Sequence, residues 1–124
     1  MKQIMINLDY QSRVPIYEQI VSSIEKYVAV GILKENTQIP SIRDMASALG
    51  VNPNTVKKSY DILESKKVIT TISTKGTFIA KDTSIATTNK INEYINEIKA
   101  KINELNNLGL SFEQIIERIK KWIS

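Results

Sequence analysis

Amide, hydroxyl and ammonium groups are concentrated in the stretch of the chain that runs from Asn52 to Lys58. Asn52, Asn54 and Thr55 supply hydrogen-bonding groups at its start, and Lys57 and Lys58 supply positive charge directly after them. Hydrogen-bonding side chains near the leading end of a helix can discriminate base edges in the major groove of DNA, and cations farther along can meet phosphates. The spacing therefore predicts a polar, cationic helix that contacts double-stranded DNA.

The same residues have structural interpretations that leave DNA out. Asn52 can act only as a helix cap, and Thr55 can simply complete the first helical turn. Lys57 and Lys58 can form an ordinary solvated face. Because the polar start and the cationic face fall on one helix, their combination favours contact with DNA.

Two further cations accompany this predicted helix. Arg43 lies one helix earlier, where it can clamp the flanking phosphate backbone, although it can instead pair with a neighbouring acid. Lys75 and Gly76 occupy a predicted turn. We expect Lys75 to contact phosphate or the minor groove and Gly76 to permit a close approach, with plain turn chemistry as the alternative.

The elements that must position these groups are two short helices joined by a sharp turn. Ser41 is a good N-cap for the first helix, and Gly50 is suited to end it. Asn52 can cap the second helix, with Pro53 at its first position. This arrangement predicts a helix-turn-helix element.

A helix before this element and a hairpin after it complete a winged helix-turn-helix. Pro15 is suited to the first position of a helix, which Gly31 closes, and residues 32–39 are expected to form a loop. A β-branched stretch at 68–72 and a second short stretch at 77–80 predict the strands of a small hairpin, the wing.

The remainder of the chain carries a regular apolar pattern, in which isoleucine and leucine recur with heptad spacing over residues 91–105. We expect two helices, over 91–108 and 112–123, that pair with those of a second copy, and the alternative is a tail that folds back on its own winged domain. The fold class is therefore mainly α with a small β-hairpin, with a winged domain at 1–80 and a helical dimerisation tail at 81–124. The residues assigned to dimerisation are Ile91, Ile95, Ile98, Ile102, Leu105, Phe112, Ile115, Ile116, Ile119 and Ile123.

Composition narrows the classes of function. The chain has 124 residues, a net charge of +4, and neither cysteine nor histidine. The usual zinc ligands, a thiol nucleophile and an imidazole base are thus all missing, and no paired acids or phosphate-cradling loop replace them. We expect no enzyme, no metal and no cofactor. The first residues do not have the pattern of a signal peptide and no apolar run is long enough to span a membrane, so we expect a cytoplasmic protein.

Four motifs of the chain match a known pattern: Pro15-Ile16-Tyr17, Ile39-Pro40-Ser41-Ile42-Arg43, Gly50-Val51-Asn52-Pro53-Asn54-Thr55-Val56 and Lys75-Gly76-Thr77-Phe78-Ile79. They strongly resemble the GntR family of bacterial winged-helix regulators, and the Asn-Pro-Asn-Thr-Val run and short tail resemble its YtrA subfamily. The chain departs from the family pattern at Pro53, where arginine is common, and in the turn at 66–68, which lacks the usual glycine.

The resemblance implies a homodimer that binds a palindromic operator, often as a repressor of a neighbouring transporter operon. It places the DNA contacts at Arg43, Asn52, Asn54, Thr55, Lys57, Lys75 and Gly76. A winged-helix adapter that docks a protein without binding DNA is the competing hypothesis. The sequence identifies no small-molecule effector.

Overall fold

The computed structural model describes residues 4–123 of the chain. Its elements are helices α1 (Ile16–Ala29), α2 (Ile42–Leu49), α3 (Pro53–Ser65), α4 (Ser84–Asn107) and α5 (Phe112–Ile123), and strands β1 (Gln38–Ile39), β2 (Ile69–Ile72) and β3 (Gly76–Ile79). The predicted fold class, a mainly helical chain with a winged helix-turn-helix, is confirmed. The chain divides into two compact units between Thr87 and Thr88.

Local capping explains the helix-turn-helix. The Ser41 hydroxyl accepts a hydrogen bond from the backbone N–H of Asp44 at 3.1 Å and so caps α2. Gly50 ends this helix in the left-handed conformation, with φ of 68°, which a glycine adopts without steric cost. Asn52 Oδ1 accepts from the Asn54 N–H at 2.8 Å and caps α3, which begins at Pro53 as predicted.

Helix α1 begins one residue later than the sequence predicts. Pro15 stands at the N-cap with ψ of 150° and is therefore not the first helical residue. Its ring fixes only φ, which is compatible with both positions. Gly31 follows the helix with φ of 82°.

The sheet has three strands where the sequence predicts two. The residues expected to form a loop at 32–39 end in β1, which pairs antiparallel with β3 and gives the order β1-β3-β2. Two residues are too few for alternation to register in the sequence. In the wing, Ile69 lies opposite Ile79 and Thr71 opposite Thr77.

The turn between α3 and β2 lacks the glycine that the family pattern places there, and a lysine adopts the required backbone conformation. Lys67 takes a positive φ of 63°. A residue with a side chain pays a modest steric cost in this region. Val68, which follows at once, is buried, and its N–H donates to the carbonyl of Leu63 at 2.9 Å.

The core of the first unit forms where α1, α2 and α3 meet the sheet. Its side chains are aliphatic apart from Met45 and Tyr60 and come from all of these elements, so helix α3 is packed against α1, α2 and the sheet. The most completely buried members are Ile20, Ile24, Leu33, Ile39, Met45, Val56, Leu63, Val68 and Ile79.

Helix α4 is longer than predicted, since it begins at Ser84 and not at residue 91. Asp82 Oδ1 accepts hydrogen bonds from the backbone N–H of Ser84 at 3.0 Å and from its hydroxyl at 2.7 Å. These donors stabilise the carboxylate and lower the pKa of Asp82. The sequence pattern missed this start because the first turns carry threonine and serine instead of the heptad isoleucines.

Helix α5 follows a turn at Gly109, where φ is 112°. Ser111 and Gln114 form a reciprocal capping box at its start. The backbone N–H of Ser111 donates to Gln114 Oε1 at 2.8 Å, and the N–H of Gln114 donates to the Ser111 hydroxyl at 3.2 Å. Across residues 4–123, no helix combines the length and the apolar character needed to cross a membrane.

Candidate nucleic-acid interface

Helix α3 has two distinct faces. Its buried side consists of Val56, Ser59, Tyr60 and Leu63, which recur at steps of three and four residues. The exposed side shows the same spacing, because residues at these steps share a helix face. The exposed residues are Asn54, Lys57, Lys58 and Asp61. The predicted polar and cationic residues are thus brought together on one surface.

The amino terminus of α3 presents the predicted amide and hydroxyl groups. Asn52 and Asn54 are exposed, and Thr55 is half-buried. The capping role of Asn52 is confirmed, and it uses only the side-chain oxygen. Its NH₂ group makes no hydrogen bond within the part of the chain that the structure describes, so a donor is left at the end of the helix.

The two adjacent lysines have different internal partners. Lys57 Nζ forms an ion pair with Asp61 Oδ2 at 2.8 Å, and both side chains are more than half exposed. Lys58 Nζ lies 3.9 Å from the centre of the Tyr17 ring, a cation–π contact with α1. Neither partner was predicted from the sequence, although the spacing of Lys57 and Asp61 is that of a helical ion pair.

Arg43 lies in the first turn of α2 and is exposed. Between residues 4 and 123, its guanidinium makes no ion pair or hydrogen bond. The alternative interpretation, in which Arg43 pairs with a neighbouring acid, is therefore not supported by the described residues.

The wing tip is held by Gln38, for which the sequence pattern predicts no role. Gln38, on β1, donates from Nε2 to the carbonyl of Lys75 at 3.1 Å. Gly76 has φ of 124°, and a Cβ there would come within 2.5 Å of the same Nε2 atom. The glycine thus permits close approach of Gln38, and Lys75 stays exposed at the tip.

Three side chains of α3 tie it to its surroundings, and sequence reasoning missed their roles. The Tyr60 hydroxyl donates to the carbonyl of Pro40 at 2.7 Å, and burial raises the pKa of Tyr60. The Ser59 hydroxyl donates to the carbonyl of Tyr17 at 2.9 Å. Glu64 accepts from the N–H of Thr71 in β2 at 3.0 Å. These bonds fix α3 against α1, the segment before α2, and the wing.

The second unit exposes an apolar face. Among the residues assigned to dimerisation, Ile115 is buried, and Ile102 and Ile119 are half-buried. The others are exposed: Ile91, Ile95, Ile98, Leu105, Phe112, Ile116 and Ile123.

An open groove of about 780 Å³ lies between α4 and α5. Aromatic side chains of Tyr94 and Trp122 line it with aliphatic residues, and Trp122 is 75% exposed. Glu97, Lys101 and Arg118 stand among the apolar residues. Exposed apolar surface of this extent is typical of an interface between proteins.

The helix-turn-helix, the wing and the exposed cationic face coincide with a match to a known family. The model of "Bacterial regulatory proteins, gntR family" matches residues 16–79, from the start of α1 to the end of the wing. The chain belongs to the GntR family.

Two relatives resemble nearly the whole of this GntR-family chain. The HTH-type transcriptional repressor YtrA of Bacillus subtilis strain 168 is 33% identical over 118 residues, which cover 94% of this chain and 91% of YtrA. A transcriptional regulator from Oenococcus oeni has a crystal structure that aligns with a TM-score of 0.84 at 35% identity, covering 94% of this chain and 98% of that one. The resemblance to the YtrA subfamily is confirmed.

A third relative resembles the winged part. The amino-terminal domain of AraR, solved in complex with a mutant of operator ORR3, aligns with a TM-score of 0.51 at 25% identity. The alignment covers 54% of this chain and 96% of that domain. This GntR-family chain is a DNA-binding transcriptional regulator, and the expectation that it is not an enzyme agrees with its family.

Proposed function

We propose that this chain is a homodimeric repressor that binds a palindromic operator through α3. The observation that carries the proposal is the exposed face of α3. It bears Asn54, Lys57 and Lys58, while the opposite face is locked into the core. A rigid helix with this surface fits the major groove.

The proposed roles follow from the position of each group. Asn52, Asn54 and Thr55 at the start of α3 contact base edges, since amides and hydroxyls carry both donors and acceptors. Lys57 and Lys58 contact phosphates, or for Lys57 the edge of a guanine.

The remaining contacts flank the recognition helix. Arg43 on α2 clamps the neighbouring backbone, and its unpaired, exposed guanidinium supports this role within the described residues. Lys75 at the wing tip contacts phosphate or the minor groove, and Gly76 allows the wing to come close.

Dimerisation is assigned to α4 and α5, with residues 1–80 as the DNA-binding domain and 81–124 as the dimerisation tail. The exposed isoleucines Ile91, Ile95 and Ile98 support it. Full burial of one such side chain contributes roughly 1.5–3 kcal/mol, so a symmetric interface of about ten would offset the cost of association. The proposed partner is a second copy of the chain, because it presents the same apolar face and the two faces can bury each other.

Repression is supported by the name of the relative YtrA, and a dimer bound at a promoter would exclude polymerase by its bulk. Control of a neighbouring transporter operon rests on the family resemblance alone. Sequencing of genomic fragments retained by the purified protein tests both points, because it gives the site and the adjacent genes together.

Binding is tested with a fragment recovered in that selection and fluorescence anisotropy. Lys57→Ala and Arg43→Ala should each weaken binding, and the affinity of the wild type should fall steeply with salt. The control is Lys34→Ala, which removes the same charge from an exposed lysine in the loop after α1. Equal affinities for all four proteins would contradict the proposed contacts. Retention of a stoichiometric protein partner and no DNA would favour the adapter.

Dimerisation is tested by sedimentation equilibrium of the full chain. The wild type should sediment as a dimer, and Ile95→Glu or Ile98→Glu should shift it to a monomer, because a buried unpaired carboxylate is costly. Ile85→Glu is the matched control, since Ile85 is 67% exposed and lies outside the heptad set. A monomeric wild type would refute this part of the proposal.

A further inference from the structure

Asp61 is an acidic residue on the surface that is otherwise polar or cationic. It lies on the exposed face of α3, two helical turns beyond Asn54. Its Oδ2 atom is 2.8 Å from Lys57 Nζ, and the two side chains are 61% and 60% exposed. The acid therefore holds the cation that the proposed function assigns to DNA.

We propose that Asp61 sets the affinity of this regulator for DNA by competing with phosphate for the Lys57 ammonium. The inference rests on the proposed function. An exposed ion pair is weak, so Lys57 can leave Asp61 when a phosphate or a base edge is offered. Breaking this ion pair costs free energy that the contact with DNA must supply, so the pair lowers the affinity of Lys57 for phosphate.

A bridging arrangement does not remove this cost. The lysine ammonium has three N–H donors and could contact Asp61 and a phosphate together. The ammonium would then divide its donors and its charge between two anions, which weakens its contact with the phosphate. Exchange and bridging both make Asp61 a residue that lowers affinity through Lys57.

The neighbouring lysine supplies an internal contrast. Lys58 Nζ lies over the Tyr17 ring at 3.9 Å and not against a carboxylate. Among residues 4–123, Lys58 forms no ion pair. Its contact with DNA therefore requires no release from an anion, and removal of Asp61 should act through Lys57 and not through Lys58.

The test is a double-mutant cycle measured by anisotropy with the DNA fragment that the wild type selects. Asp61→Asn should bind about two- to fivefold more tightly than wild type, the range expected for loss of an exposed ion pair. In a plot of log affinity against log salt concentration, the slope for this variant should be steeper than that of wild type by up to about one unit. Asp61→Glu, which keeps the charge, should restore wild-type affinity.

The second arm asks whether the effect passes through Lys57. In a Lys57→Ala background, Asp61→Asn should have a clearly smaller effect, whereas in a Lys58→Ala background its full effect should remain. Asp44→Asn is the control for a general change of charge, because Asp44 is an exposed acid in the same unit. Between residues 4 and 123, its carboxylate pairs with no lysine.

Each result decides the proposal. Tighter binding by Asp61→Asn that depends on Lys57 supports it. Three results overturn it: unchanged or weaker binding by Asp61→Asn, an equal gain in the Lys57→Ala background, or an equal gain from Asp44→Asn. If Lys57→Ala still weakens binding in these cases, the proposed function stands. If Lys57→Ala binds like wild type, the proposed role of Lys57 fails, and the inference fails with it.

Discussion

Tyr60 shows how a buried polar group can govern the placement of an exposed surface. Its ring is 4% exposed, and its hydroxyl meets the carbonyl of Pro40, just before α2. The bond joins α3 to the segment just before α2, the other helix of the helix-turn-helix. The residues proposed to contact DNA are thus positioned by a buried side chain.

Removal of this hydroxyl should destabilise the fold. Tyr60→Phe leaves the Pro40 carbonyl without its partner, and we expect a loss of about 1–2 kcal/mol in the free energy of unfolding, measured by urea denaturation. Tyr10→Phe is the control, since Tyr10 is 67% exposed and its hydroxyl makes no hydrogen bond within residues 4–123. Equal stability of Tyr60→Phe and wild type would show that the bond contributes nothing.

The same residue predicts a dependence on alkaline pH. Burial raises the pKa of Tyr60 above its ordinary value of 10.0, so the folded state holds this proton more tightly than the unfolded state. The stabilisation of the folded state that follows from this raised pKa is complete below pH 10 and is lost as the pH rises beyond it. Urea denaturation across pH 9 to 11 should show a steeper decline for wild type than for Tyr60→Phe. Parallel declines would argue against the buried phenol.

Gly76 illustrates a position where backbone conformation and packing both exclude a side chain. A Cβ would meet Gln38 Nε2, and φ is 124°. We expect Gly76→Ala to lower the free energy of unfolding by about 1–3 kcal/mol. Gly31→Ala is a useful comparison because it has positive φ but open space around it, and its cost should be smaller. A larger cost at Gly31 would contradict the proposed contact.

At the scale of elements, the two ends of α5 are specified differently. The capping box of Ser111 and Gln114 fixes its start through two reciprocal hydrogen bonds. Lys120 and Lys121 in the last turn favour its end, where cations interact well with the helix dipole. A short helix with few buried residues depends strongly on such terms.

Loss of the cap should therefore affect the tail measurably. Ser111→Ala should lower the stability of the protein by about 1 kcal/mol, and circular dichroism during thermal unfolding measures the effect. Ser73→Ala in the wing turn serves as control, because in residues 4–123 the Ser73 hydroxyl has no hydrogen-bond partner. A melting temperature equal to that of wild type would count against the box.

At the scale of the whole molecule, the proposed homodimer makes DNA recognition a matter of spacing. Two identical recognition helices must meet half-sites about one helical turn apart, ~34 Å. We expect insertion of about 5 bp between the half-sites to abolish high-affinity binding, because it turns one half-site to the opposite side of the duplex. Insertion of about 10 bp is the informative comparison, since it returns both half-sites to the same side of the duplex but leaves them farther apart.

Anisotropy with the three duplexes measures this effect. If the 5 bp insertion leaves affinity unchanged, the two recognition helices are not held by a common dimer, and each half-site is bound independently. A single half-site should bind far more weakly than the intact operator, because the second contact is made at high effective concentration.

Local patterns in the sequence determined much of this protein. The caps at Ser41, Asn52 and Ser111, the left-handed end at Gly50 and the polar face of α3 all depend on residues close together in the chain. These features follow from spacing and backbone preference alone, which is why the fold class could be predicted and confirmed.

Only the tertiary structure decided which distant residues support that face. The contacts of Gln38 with the wing, of Tyr60 with Pro40 and of Lys58 with Tyr17 join positions far apart in the sequence. Strand β1 has two residues, too few for a periodic signal, and exists because β3 offers its free edge. No local pattern contains such pairings, since they form only when packing of the core brings the elements together.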